Sequence, residues 1–133
     1  FDFDPHMMAR AKRRHAANTG TVALWQGDAE TIALPDGLCD AVFDFGIVHH
    51  VPDWRKALRE VHRVLKPGGR FYAEEVLDVF SLHPVSRVLF KHPETDRFSG
   101  PGFRDGLLQC GFRLAGMRTF GPWFAWFVAD KPE

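Results

Sequence analysis

An aspartate set inside an apolar stretch, Ala41-Val42-Phe43-Asp44-Phe45-Gly46-Ile47-Val48, is followed at once by His49 and His50. A carboxylate in such surroundings costs free energy unless a donor satisfies it. That donor is either a ligand ammonium group or a nearby backbone or side-chain N–H. One histidine of the adjacent pair can serve as a base near neutral pH, against the plainer reading of a loop or capping residue. As a chelate the pair is poor. Neighbouring residues project in different directions, and no His-x-x-x-His spacing or carboxylate partner supports a metal, so none is expected.

Two further carboxylates stand where short β-rich runs end. Asp2, in Phe1-Asp2-Phe3-Asp4-Pro5, can accept hydrogen bonds from both hydroxyls of a ribose. Asp4 is the better helix cap by position, which leaves Asp2 for a ligand. Asp28, in Gly27-Asp28-Ala29, can take the exocyclic amine of an adenine, with a neighbouring main-chain N–H facing a ring nitrogen. Gly-Asp-Ala alone is more often a turn, and its place one strand after Asp2 is what raises it.

The elements that must position these groups alternate. Phe1–Phe3 reads as the end of a strand. Asp4-Pro5 starts a helix with Met7, Met8, Ala11 and His15 on one face, stopped by Asn18-Thr19-Gly20. Thr21–Gln26 is a short β-rich run, and Leu34-Pro35-Asp36-Gly37 a turn. The run Ala41–Val48 has the continuous apolar character of a parallel strand buried on both faces. Asp53 opens a helix carrying Ala57, Leu58, Val61 and Leu65 at helical spacing, and Pro67-Gly68-Gly69 ends it and returns the chain to a strand over Arg70–Val76. Ser99–Cys110 reads as a capped helix closed by Gly111, and Phe112–Thr119 and Phe124–Asp130 as two strands around Gly121-Pro122. Trp54, Trp123 and Trp126 read as core or sheet-packing aromatics, with Trp54 close to the expected site. Strands alternating with helices predict a mostly parallel sheet whose ligands bind at the carboxyl ends of its strands.

The order and wording of Asp40–Glu75, with Leu65-Lys66-Pro67-Gly68-Gly69 at its centre, resemble class I S-adenosylmethionine-dependent methyltransferases, especially the small-molecule group that includes quinone-biosynthesis enzymes. Asp2-Phe3-Asp4-Pro5 and Gly27-Asp28-Ala29 are supporting matches. The resemblance implies a Rossmann-like α/β fold in one partial domain, mostly parallel with a C-terminal antiparallel strand pair. It implies S-adenosyl-L-methionine as cofactor: Asp2 on the ribose, Phe3 against adenine, Asp28 on the adenine amine, the Ala29 amide on a ring nitrogen, and Asp44 and Phe45 lining the methionine end. His49–Trp54 and the segment 78–98 would form the side facing a small-molecule acceptor, the latter as a lid. The strand and glycine-rich loop that open that fold are not in this sequence, so it reads as N-terminally truncated. The resemblance places the missing strand between those of Asp2 and Asp44. An unpaired sheet edge is therefore expected, which favours pairing with another copy or with the missing segment, or else weak cofactor binding.

Composition excludes several classes. At 133 residues the chain is at most one domain, and 17 Lys and Arg balance 17 Asp and Glu, so no net basicity suggests nucleic acid. No apolar run reaches the ~18 residues a membrane helix needs. Cys39 and Cys110 make no disulfide framework and read as reduced thiols of a cytoplasmic protein.

Overall fold

The computed structural model describes residues 1–18, 20–81 and 97–133. Helix α1 spans Pro5–Arg14: the Asp4 side chain caps it by accepting from the His6 N–H at 2.7 Å, and Pro5 sits where its missing N–H costs nothing. Lys12, Arg13 and Arg14 in its last turn oppose the negative end of the helix dipole. It ends at His15, before the expected stop, and Gly20 reverses the chain at φ 87°.

Strand β1 (Cys39–Phe45) pairs in parallel with β2 (Leu65–Val76). Strand β4 (Phe124–Asp130) runs antiparallel to both β2 and β3 (Arg113–Phe120), giving the order β1-β2-β4-β3. Among the described residues the sheet is mixed, with one strand–helix–strand unit giving the parallel pair and the C-terminal strands adding the expected antiparallel pair. Thr21–Gln26 does not form a strand. It meets the N-terminal segment through one parallel bridge, Asp2 to Gln26, supported by the Gly27 N–H donating to the Asp2 carbonyl at 3.0 Å.

Between β1 and β2 the chain forms a 3-10 turn, Val48–His50, and helix α2, Trp54–Val64, capped by Asp53 through the Lys56 N–H at 2.9 Å. Leu65, expected on the helix face, instead opens β2. The Pro67-Gly68-Gly69 stretch lies inside β2 as an irregularity where the pairing jumps from Cys39–Leu65 to Ala41–Arg70. Gly68 has φ 74°, and a Cβ on Gly69 would sit 2.8 Å from the Lys66 carbonyl oxygen.

Helix α3 (Asp78–Ser81) follows β2, and residues 82–96 of the expected lid lie outside the described residues. Helix α4 (Gly100–Gln109) is capped by Ser99 and ends at Gly111, φ 90°. Helices α2 and α4 cover one face of the sheet, where Trp54, Leu58, Phe103 and Leu107 meet Phe71, Ala73, Phe127 and Ala129. On the opposite face Phe43 and Phe45 are 60% and 75% exposed, Tyr72 stacks on Phe43 at 4.8 Å, and Trp126 is half-exposed. The strand expected to be buried on both faces is thus buried on one. Trp54 belongs to the core, Trp126 packs edge-on against Phe120 on the sheet, and Trp123 is exposed rather than core.

Candidate functional site

The bridge between Asp2 and Gln26 brings the first two predicted groups together. With Gly27 hydrogen-bonded to Asp2, and the Gln26 side chain donating to the Phe3 carbonyl at 3.0 Å, Asp2-Phe3 and Gly27-Asp28-Ala29 lie side by side. Asp2 is not left wholly to a ligand, since one carboxylate oxygen accepts the Asp4 N–H at 2.9 Å. Asp28 likewise closes a turn through the Glu30 N–H at 2.8 Å. Each retains a second oxygen. The Phe3 ring is 73% exposed and available for stacking.

The second cluster lies where β1 and β2 end. The Gly46 N–H donates to the Glu74 carbonyl at 2.7 Å, and its φ of 70° turns the chain out of β1. Asp44 and Glu75 point inward from neighbouring strands and are both buried. Asp44 finds one backbone donor, the Ile47 N–H at 2.8 Å. Glu75 collects more: the Val48 N–H at 2.9 Å, the His49 N–H at 3.3 Å and His49 Nδ1 at 2.7 Å.

Two buried carboxyls side by side cannot both ionise cheaply. Burial, then the neighbouring Glu75, push the Asp44 carboxyl up to about 9, so it keeps its proton at neutral pH. Burial raises the Glu75 carboxyl too, opposed by Asp44 and by the N–H groups of Val48 and His49. Burial takes the His49 imidazole down to about 4, against the pull of Asp44 and with the help of Arg97. The ring is neutral at pH 7. His50 covers it, ring centroids 4.1 Å apart.

The two clusters are tied by a residue the sequence reading passed over. Glu30 accepts the Asp53 N–H at 3.1 Å and lies 3.6 Å from the Lys56 ammonium, joining the Asp28 turn to the start of α2. Glu75 was also passed over as a site residue, although Phe71, Ala73 and Glu75 share one phase of the strand, and a carboxylate in an inward phase is a readable signal. Among the described residues no group of three or more His, Cys, Asp and Glu side chains could hold a metal, and no helix is long and apolar enough to cross a membrane.

The family profile described as "Methyltransferase domain" matches residues 1–73, more than half of the chain, so the chain belongs to that family, and its fold is that of class I S-adenosylmethionine-dependent methyltransferases. It is 36% identical over 93 residues to a ubiquinone/menaquinone biosynthesis C-methyltransferase of Enterobacter sp. (strain 638), covering 61% of this chain and 37% of that protein. It is 43% identical over 75 residues to a demethylmenaquinone methyltransferase of Thermus thermophilus, covering 56% and 34%. An uncharacterised Escherichia coli protein, YafE, is 36% identical over 99 residues, covering 73% and 46%. The chain thus spans less than half the length of these relatives.

Among solved structures, an S-adenosylmethionine-dependent methyltransferase from Mesorhizobium loti superposes with a TM-score of 0.74 at 18% identity, over 96% of this chain and 77% of that one. The [4+2]-cyclase SpnF superposes at 0.77 and 17% identity, over 98% and 64%. These likenesses show the fold alone, and the presence of a cyclase among them makes clear that the fold does not dictate the reaction.

The donor set suits an adenosyl group: a carboxylate with an uncommitted oxygen at Asp2, an exposed ring at Phe3 and a carboxylate at Asp28. At the other cluster the exposed ring of Phe45 adjoins a protonated Asp44. When bound, S-adenosylmethionine supplies a methyl group on an already activated sulfonium leaving group.

Proposed function

We propose that this chain takes part in S-adenosyl-L-methionine-dependent methyl transfer to a small-molecule acceptor. The observation that carries the reading is the bridge that sets Asp2 and Phe3 beside Gly27-Asp28-Ala29. In this reading Asp2 holds the ribose, Phe3 stacks on adenine, and Asp28 with the Ala29 amide reads its edge. Asp44 and Phe45 border the methionine end, and His49 and His50 face the acceptor. The residues bind, orient and exclude water. Orientation alone supplies ~7–11 kcal/mol in such reactions, and a base is needed only where the acceptor must lose a proton. Two relatives are named for quinone biosynthesis, so a quinone-type ring is the first acceptor class to test. A cytoplasmic location goes with this reading, consistent with two free cysteines.

Calorimetric titration with S-adenosylhomocysteine tests it. Micromolar binding that is abolished in Asp2→Ala supports the proposed site. No binding by the unsubstituted chain would overturn the cofactor reading.

One observation favours a second reading, a methyltransferase-like unit serving assembly. Among the described residues β1 pairs on one side only, and Phe43 and Phe45 are exposed beside that edge. Pairing with another copy would cover both. Light scattering distinguishes the readings, since a monodisperse monomer that binds the cofactor product would remove the assembly role.

A further inference from the structure

The charges of this chain cancel in number but not in place. Between Asp4 and Asp28 there is no acidic residue, and Arg10, Lys12, Arg13 and Arg14 all fall within α1. Their side chains are exposed and, among the described residues, make no ion pair, side-chain hydrogen bond or ring contact. Every other Lys and Arg among those residues has a partner in the fold. Lys56, Arg63, Lys66 and Arg70 meet carboxylates, Lys131 meets two carbonyls, and Arg118 lies over the Phe120 ring. The cations without partners are confined to one helix.

The helix dipole does not account for them. It places roughly half a negative charge at the C-terminus of α1, which one cation of the last turn offsets, and Arg10 stands before that turn. Met7, Arg10, Ala11, Arg13, Arg14 and His15 line one open depression, so three of the cations converge on a single surface. Helix α1 buries only Met8, which leaves that surface to solvent. Cations held together without counter-charges repel one another, and a polyanion removes that cost. Surfaces for single-stranded nucleic acid interleave cations with aromatic side chains on which bases stack, and α1 has no Phe, Tyr or Trp. A bilayer carrying anionic lipid needs only positive charge beside a modest apolar side chain. Met7, 45% exposed, supplies the latter.

We propose that Arg10, Lys12, Arg13 and Arg14 dock the protein electrostatically on a membrane surface that carries anionic lipid, at headgroup depth and without insertion. The role of this docking rests on the methyl-transfer reading above and deepens it. An apolar quinone-type acceptor partitions into lipid rather than water, and a docked protein meets it there. Attraction of this kind contributes roughly fivefold in affinity for each Lys or Arg near the surface, and it fades as salt shortens the Debye length.

The test is cosedimentation of the full chain with vesicles of phosphatidylcholine alone, or mixed with about one third phosphatidylglycerol. Binding to the mixed vesicles alone is expected, with release as salt rises from about 0.05 M to about 0.5 M. Arg10→Gln/Arg14→Gln should weaken that binding roughly 25-fold, at about fivefold for each charge. Arg59→Gln/Arg104→Gln removes the same charge from cations that have partners, and should leave binding nearly unchanged. No sedimentation with the mixed vesicles, equal binding to phosphatidylcholine, or an equal loss in both double variants overturns the proposal. So does tighter binding to a single-stranded RNA oligonucleotide at equal phosphate concentration, which would assign the face to nucleic acid. Should a variant fail to fold, the lipid and salt dependence of the unsubstituted chain still decides. The measurement uses neither cofactor nor acceptor, so a failure to bind S-adenosylhomocysteine would count against the methyltransferase reading and not against the docking face.

Discussion

The main-chain N–H of Asp53 donates to the Glu30 carboxylate at 3.1 Å, joining the turn that carries Asp28 to the residue that caps α2. Just beyond that turn, Glu60 and Arg63 of α2 hold the chain at Ile32 and Leu34, with the Ile32 N–H on Glu60 at 2.8 Å and the Arg63 guanidinium on both carbonyls at 2.8 Å. The proposed adenine-side turn is therefore fastened to a helix rather than to the main sheet.

Glu30→Ala should cut that tie. We expect a stability loss of about 1 kcal/mol, since Glu30 is partly exposed and its ion pair with Lys56 is screened. A weakening of S-adenosylhomocysteine binding larger than the stability loss would accompany it. Thermal unfolding and calorimetric titration of the same variant separate the two effects.

Gly106 packs directly beneath Trp54. A Cβ there would overlap Cζ3 of the indole and lie 2.7 Å from Cη2. Gly106→Ala should cost about 1–3 kcal/mol by overpacking, despite a helix-propensity gain of up to ~1 kcal/mol. Trp54→Ala, at a position 1% exposed, should cost about 3–5 kcal/mol through the cavity it leaves. Urea denaturation of the singles and the double variant should show a coupling, with Gly106→Ala nearly harmless once the indole is gone.

The Asp44 and His49 groups should give opposed pH dependences. Asp44 is raised to about 9 in the folded chain, so between its ordinary carboxylate value and pH 9 the folded state holds a proton that the unfolded state lacks, and stability falls as pH rises. His49 is lowered to about 4, so between about pH 4 and 6.5 the unfolded state holds the extra proton, and stability rises with pH. The two slopes oppose each other up to about pH 6.5, and of these two groups only Asp44 contributes a slope above it. Asp44→Asn should therefore gain stability relative to the unsubstituted chain as pH rises from 6.5 to 9. It should also uncover a loss of stability on acidification from 6.5 to 4. Urea midpoints across this range check both, and parallel curves for the two proteins would contradict the protonated Asp44.

Among the described residues strand β1 pairs on one side only, with Phe43 and Phe45 exposed beside its other edge, the condition under which sheets pair between molecules. Phe43→Lys should lower self-association without disturbing the core, because that side chain faces away from α2 and α4. Light scattering over a concentration series would show it, and an unsubstituted chain already monomeric at every concentration would refute the expectation.

What was legible in the sequence was local. Asp4-Pro5, Asp53 and Ser99 start helices because a cap needs only its own next few N–H groups, and Gly111 and Gly121 end elements because positive φ is a property of one residue. The strand–helix–strand order followed from the same short-range signals, and the antiparallel pairing of the two C-terminal strands from the family resemblance. The short run Thr21–Gln26 misled because its composition suits a strand, while a strand exists only where neighbours pair with it.

Tertiary structure alone decided which face of β1 is covered, since the continuous run Ala41–Val48 is apolar toward both sides. It alone also decided the state of the site. Asp44 and His49 both meet the Glu75 carboxyl, and Glu30 meets Asp53, across separations of more than twenty residues. No periodicity encodes such pairings. They arise when two strand ends and a turn are brought within hydrogen-bonding distance, and at the buried strand ends the cost of burying a charge raises the Asp44 carboxyl.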